Sequence, residues 1–141
     1  MLEVPGDLWS YKADYRCIPT NGVVTSDGRL VMGAGVAKAA LELSPWIDRM
    51  LGNYVKEKGN IPCILDGSRL ISFPTKSHWK GDSSLGLISD SAHWIANWAK
   101  NNESPIIVLP RVGCGLGGLR WDTVQPLLSQ IFVEDNFVVV N

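Results

Sequence analysis

The segment Leu109–Asp122, Leu-Pro-Arg-Val-Gly-Cys-Gly-Leu-Gly-Gly-Leu-Arg-Trp-Asp, constrains the fold most, because it joins an apolar strand to a helix through Gly113, Gly115, Gly117 and Gly118. Glycine lets the backbone enter the left-handed region there and bring bare N–H groups against a ligand. The helix that follows directs its positive end at the same point. Such a junction suits an anion, phosphate above all. The spacing is not the dinucleotide fingerprint G-x-G-x-x-G, and no Gly-Lys-Ser/Thr follows as a triphosphate loop requires. On composition alone, a glycine turn without a ligand explains the segment equally well.

A second segment repeats the design. In Val31–Leu41, Gly33 and Gly35 precede a run of helix formers, so the chain offers two anion-compatible helix starts and room for a diphosphate between them. Around these loops the pattern predicts alternating strands and helices. An edge strand opens the chain, and a strand over Tyr15–Ile18 ends at Pro19. Ser44-Pro45 restarts a helix as N-cap and first helical residue, with Ile47, Leu51, Tyr54 and Val55 on its buried side until Gly59. Ile61–Leu65 and Leu70–Phe73 form a hairpin about Asp66-Gly67-Ser68. A helix over residues 84–101 carries Leu85, Ile88, Ala92, Ile95 and Ala99 as its stripe, widened by Trp94 and Trp98, and Ile106–Leu109 is a buried strand. Val124, Leu127, Leu128 and Ile131 mark another helix, with Pro126 early enough in it for the missing donor to be harmless, and Phe137–Val140 closes as a strand. The class is α/β, with both glycine loops at strand ends, where open α/β sheets bind ligands.

At 141 residues, 45% hydrophobic and 19% charged, one domain over residues 1–141 is expected. A net charge of -1 argues against wrapping nucleic acid by phosphate neutralisation and leaves only local contact with DNA. Cys17, Cys63 and Cys114 are odd in number and form no C-x-x-C pair, so neither a disulfide framework nor a zinc cage is indicated. No metal and no cofactor are expected. The opening Met-Leu-Glu-Val-Pro-Gly lacks the basic and apolar parts of a secretion signal, and no apolar run reaches membrane-spanning length. A cytoplasmic monomer is the expectation.

Gly6-Asp7-Leu8, Thr20-Asn21, Gly33-Ala34-Gly35-Val36-Ala37, Phe73-Pro-Thr-Lys76-x-His-Trp79 and Pro110-Arg-x-Gly-Cys-Gly-x-Gly-Gly-Leu-x-Trp121 together resemble the macro domain family of ADP-ribose-binding proteins. The chain is most similar to the branch holding the terminal ADP-ribose protein glycohydrolase and the macro domain antitoxins that remove ADP-ribose from thymidine in DNA. That resemblance implies a three-layer α/β/α sandwich with a mixed central sheet. It implies that Asp7 accepts from the adenine amino group and that Leu8 supplies a backbone donor. The two loops, through Gly33, Gly35, Val36, Gly113, Cys114, Gly115, Leu116, Gly117 and Gly118, would clasp the diphosphate and distal ribose, with Thr20, Asn21 and Thr75 alongside. Lys76 aligns with the lysine that opens the distal ribose and forms an adduct at its anomeric carbon, a role that requires the neutral amine.

The chain departs from the protein-directed glycohydrolase at Gly117, where that relative carries an aspartate, and this tilts the expectation towards the DNA-directed branch. His78 and Asp82 lie near Lys76 in sequence but read as ordinary loop residues. Cys114, between two glycines and without an evident His partner, reads as a small packed residue rather than a nucleophile. The rival functions are an ADP-ribose 1″-phosphate phosphatase and a non-catalytic reader or sponge. A toxin antidote and a viral counter-defence factor are equally suitable settings.

Overall fold

The computed structural model describes all residues from Met1 to Asn141. In chain order the elements are β1 (Leu2–Val4), β2 (Tyr15–Thr20), α1 (Gly35–Leu43), α2 (Ile47–Lys58), β3 (Cys63–Leu65), β4 (Leu70–Pro74), α3 (Leu85–Lys100), β5 (Ile107–Leu109), α4 (Trp121–Ile131) and β6 (Phe137–Val140), with a 3-10 turn at Asp66–Ser68. The strands form one six-stranded sheet in the order β1-β6-β5-β2-β4-β3. Every neighbouring pair is parallel except β3 with β4, so the sheet is mixed.

Consecutive strand residues point to opposite faces, and here both faces are covered. Cys17 joins Ile71, Phe73, Ile107 and Leu109 in a core completed by Ile88, Ile95, Val124 and Leu128 from α3 and α4. Ile18 joins Leu65 and Leu70 in a second core completed by Ala40, Ile47 and Leu51 from α1 and α2. The result is a three-layer α/β/α sandwich. The inner strands are mostly apolar because both of their faces are covered, whereas Leu2 and Glu3 of the edge strand β1 are exposed.

Several boundaries differ from the sequence expectation. β2 does not stop at Pro19 but continues to Thr20, pairing Pro19 with Phe73 and Thr20 with Pro74. The Thr20 carbonyl accepts from Thr75 N on the β4 side, so Pro19 turns its missing donor towards β5, which pairs with β2 only at Tyr15 and Arg16. Ser44 ends α1, its N–H donating to the Ala40 carbonyl, and α2 starts at Ile47 after Trp46, without a side-chain cap. The Ser44 carbonyl, not its hydroxyl, receives Ile47 N at 3.1 Å. Pro126 lies inside α4, which begins at Trp121, so its missing N–H removes a bond to the Asp122 carbonyl instead of being harmless. β3 begins at Cys63 rather than Ile61, and Ile106 is exposed just before β5.

Candidate functional site

The carboxyl ends of β2 and β4 carry Thr20 and Thr75 side by side, both buried, with Thr75 N donating to the Thr20 carbonyl at 3.0 Å. Beyond them the chain leaves the sheet as a braced turn. Ser84 N donates to the Thr75 carbonyl at 2.9 Å, and Ser91 Oγ donates to the Pro74 carbonyl at 2.7 Å. Asn60 Nδ2 donates to the Lys76 carbonyl at 3.0 Å, and Gly22 N donates to the Ser77 carbonyl at 3.2 Å. A Cβ on Gly22 would lie 2.9 Å from Asn60 Nδ2, so a side chain there would press on the Asn60 amide that holds Lys76. Lys76 is thereby held by its main chain while its Nζ reaches across to donate to the Leu116 carbonyl at 3.3 Å.

Leu116 sits at the tip of the second glycine loop. That loop is tied by Cys114 N to the Arg111 carbonyl, Gly118 N to the Gly115 carbonyl and Leu119 N to the Gly113 carbonyl. The N–H groups of Gly115, Leu116 and Gly117 have no partner in the chain, and successive free amides of this kind form an anion-binding concavity. At the first loop, Ala34 supplies no side-chain cap to α1, and the N–H groups of Gly35, Val36 and Ala37 are equally unpaired. The two loops meet at Leu116, which is 71% exposed and whose Cδ1 lies 3.6 Å from the Cβ position of Gly35. Lys76 and the N-terminus of α1 thus both reach Leu116.

The glycines divide by what surrounds them. At Gly33 and Gly115 an added Cβ would meet nothing within 4 Å. At Gly113 it would lie 2.7 Å from Ile88 Cδ1, and at Gly117 it would lie 2.3 Å from Ser83 Oγ and 2.4 Å from the Gly113 carbonyl oxygen. The aspartate that the resemblance places at position 117 has no room on this backbone. Gly118 takes φ +77°, with the Asp82 carboxylate 3.0 Å from its Cβ position. Asp82 and Ser83 therefore back the loop.

Asp7 stands at another part of the rim. One of its carboxylate oxygens accepts Ser10 N at 3.1 Å and the other has no partner. The turn is anchored from the sheet by Arg16, whose Nε donates to the Leu8 carbonyl at 2.9 Å and whose Nη2 donates to the Tyr11 carbonyl. Leu8 is buried with Val108 and Val140, and Val36 of the first loop packs on the same cluster. Asn21 is committed to local structure, with Nδ2 donating to the Val31 carbonyl at 2.8 Å and Oδ1 accepting Val23 N at 2.9 Å. It shapes the approach to the first glycine loop.

A cavity of about 490 Å³, within the roughly 300–1,000 Å³ common for small-molecule sites, opens between the second loop and the end of β6. Arg111, Cys114, Gly115, Trp121 and Asn141 line it, whereas Lys76 and Asp7 do not. Gly6 N donates to the Asn141 carbonyl at 3.2 Å, which connects this cavity to the Asp7 turn. Arg111 lies over the Trp121 ring at 5.2 Å, and Glu3 fixes that ring by accepting Trp121 Nε1 at 2.9 Å. Burial pushes the Cys114 thiol up by more than nearby Arg111 lowers it, so it persists as a thiol, not a thiolate. Sequence reasoning missed Arg16, Asn60 and Asn141, because they act through main-chain contacts or cavity walls and belong to no motif, and it gave Arg111 no role although it lies in the second glycine motif.

No protein-family model matches the chain. Over 62 residues the chain is 43% identical to a DNA ADP-ribosyl transferase-DNA ADP-ribosyl glycohydrolase fusion protein of Thermosipho africanus, a match covering 44% of this chain and 16% of the relative. The solved structure of Thermosipho africanus DarTG in complex with ADP-ribose superposes with a TM-score of 0.81 at 27% identity, covering 98% of this chain and 40% of that one. The macrodomain of Mycobacterium tuberculosis DarG gives a TM-score of 0.84 at 23% identity, covering 99% and 95% of the two chains. The chain therefore spans less than half the length of the Thermosipho protein and nearly all of an isolated macrodomain. With its mixed sheet and two glycine loops, the chain has the macro domain fold.

Proposed function

We propose that this macro domain binds ADP-ribose and hydrolyses an ADP-ribosyl linkage, with thymidine in DNA the favoured carrier and Lys76 the nucleophile. The observation that carries the reading is the meeting of two runs of unpaired amides with the Lys76 ammonium at Leu116. A diphosphate satisfies those amides, and the α1 dipole adds to its stabilisation. The unpartnered oxygen of Asp7 can accept from an exocyclic amine, as adenine requires. The Thermosipho relative, named as a DNA ADP-ribosyl glycohydrolase fusion, supports DNA over protein, and so does the lack of room for an aspartate at Gly117.

In this reading the anomeric C–O bond of the distal ribose breaks as the base nitrogen forms an imine bond to that carbon and the ring oxygen takes a proton. The neutral Lys76 amine adds to the carbon, and the bond to the base nitrogen then breaks with a proton delivered to the base, leaving a lysine Schiff base. Water then hydrolyses the lysine adduct, releasing ADP-ribose and restoring the amine. The Asn60 and Gly22 clips keep the Lys76 main chain fixed during this exchange. Lys76→Ala is expected to lose turnover by several orders of magnitude while ADP-ribose affinity measured by calorimetry stays within a few-fold, because the clasp is made of backbone. Lys76→Arg should be equally inactive, since a guanidinium stays charged. Borohydride should trap ADP-ribose on the wild type alone. Wild-type turnover by Lys76→Ala would remove the covalent mechanism. Tight ADP-ribose binding without turnover of any ADP-ribosylated substrate would make the protein a reader, and phosphate release from ADP-ribose 1″-phosphate would make it a phosphatase.

A further inference from the structure

The turn that carries Lys76 continues into His78-Trp79-Lys80, for which the chemistry above has no use. Trp79 is 47% exposed although it is among the largest apolar side chains in the molecule. Its neighbours dress the ring without covering it. The His78 ring stacks on it with centroids 5.4 Å apart and planes 29° from parallel, and Lys80 Nζ lies 5.1 Å from its centroid. The group is held on a tight turn, with Lys80 N donating to His78 Nδ1 at 3.1 Å and Gly81 N donating to the His78 carbonyl at 3.1 Å. Behind it, Asn60 and Gly22 pin the carbonyls of Lys76 and Ser77. A solvent-facing indole with an ammonium and an imidazole beside it is thus fixed close to the proposed nucleophile.

Exposed aromatic rings beside cations are the elements with which proteins hold single-stranded nucleic acid, the ring taking a base face and the cation a phosphate. The net charge of -1 provides no broad basic surface, so such a contact has to be local. We infer that Trp79 is a stacking platform for a nucleobase next to the ADP-ribosylated nucleotide of single-stranded DNA, with Lys80 exchanging the ring face for the intervening phosphate. The inference rests on the DNA reading of the site but not on catalysis by Lys76.

The test uses a fluorescent ten-nucleotide thymidylate strand, with anisotropy read at low salt, beside hydrolysis of ADP-ribosylated thymidine as a nucleoside and within an oligonucleotide. Trp79→Ala should weaken strand binding by about five- to hundredfold, the scale of one stacked base, and Trp79→Phe should retain most of it. In Trp79→Ala the KM should rise for the oligonucleotide and not for the nucleoside, with ADP-ribose affinity unchanged. Failure of the wild type to bind the strand, or equal binding by Trp79→Ala, overturns the platform. Parallel losses on nucleoside and oligonucleotide also overturn it, since the ring would then only support the Lys76 turn. Sensitivity of an ADP-ribosylated glutamate peptide alone would assign the surface to protein instead. Strand binding through Trp79 without hydrolysis of either nucleotide would leave the platform standing and remove the glycohydrolase reading.

Discussion

Gly33 and Gly35 stand directly at the start of α1, whereas Gly113–Gly118 forms a self-bonded loop that ends before α4 begins at Trp121. In the first loop the Cβ position of Gly33 is open and that of Gly35 meets only Leu116 Cδ1 at 3.6 Å. In the second, Gly113 and Gly117 are enclosed by Ile88, Ser83 and the loop's own backbone, and only Gly115 faces open space. The first loop is an uncapped helix end made accessible by small residues. The second is a rigid arch whose buried glycines allow it to fold and whose tip alone can face a ligand. The same residue type therefore does two jobs, and motif spacing does not distinguish them.

The sharpest way to break this comparison is to add one methyl group at two glycines of the arch. Gly113→Ala combines φ +77° with a 2.7 Å approach to Ile88 and should lower stability by about 3 kcal/mol, as overpacking and left-handed strain together imply. Gly115→Ala should stay within about 0.5 kcal/mol of the wild type by thermal or denaturant unfolding. Equal losses at both positions would erase the distinction between arch and tip. A smaller effect, on binding rather than folding, is expected from Gly115→Glu. Its carboxylate would stand beside the free amides of Gly115, Leu116 and Gly117, and ADP-ribose affinity measured by calorimetry should fall by about 2 kcal/mol, or roughly thirtyfold. Unchanged affinity would move the diphosphate away from the arch. The smallest effect belongs to Ser83, whose Oγ is buried behind Gly117 without a hydrogen-bond partner. Ser83→Ala should change stability by less than about 1 kcal/mol, in the stabilising direction, and leave ADP-ribose binding intact, because an orphaned hydroxyl is removed. Weakened ligand binding there would bring the back of the arch into the site.

Much of this site was legible as pattern. Strand-to-helix junctions with several glycines announced both loops, whereas the contact from Ser10 N to the Asp7 carboxylate, which caps its turn, came only with the structure. Of the helix stripe Leu85, Ile88, Ala92, Ile95 and Ala99 read from its spacing, the last four are buried and Leu85, in the first turn, is exposed. Local rules failed where a neighbour outvoted them. Pro19 stays in a strand because one of its edges is unpaired, and Ser44-Pro45 serves the end of α1 instead of the start of α2. Pro126 occupies a helix interior at the loss of one hydrogen bond, in a helix secured by the burial of Val124 and Leu128.

By itself the sequence determined the α/β class, the two glycine loops and the presence of a lysine after the Phe-Pro-Thr strand end. Each follows from periodicity or from the backbone freedom of particular residues, and such properties act over a few neighbours in the chain. Only the tertiary structure decided which amides remain unpaired, which glycines can accept a side chain, and that Lys76 Nζ reaches the Leu116 carbonyl. It also decided that Asn60 and Arg16 hold the turns bearing Lys76 and Asp7. Those facts depend on contacts between segments far apart in sequence, which the order of strands in the sheet creates and no local pattern encodes.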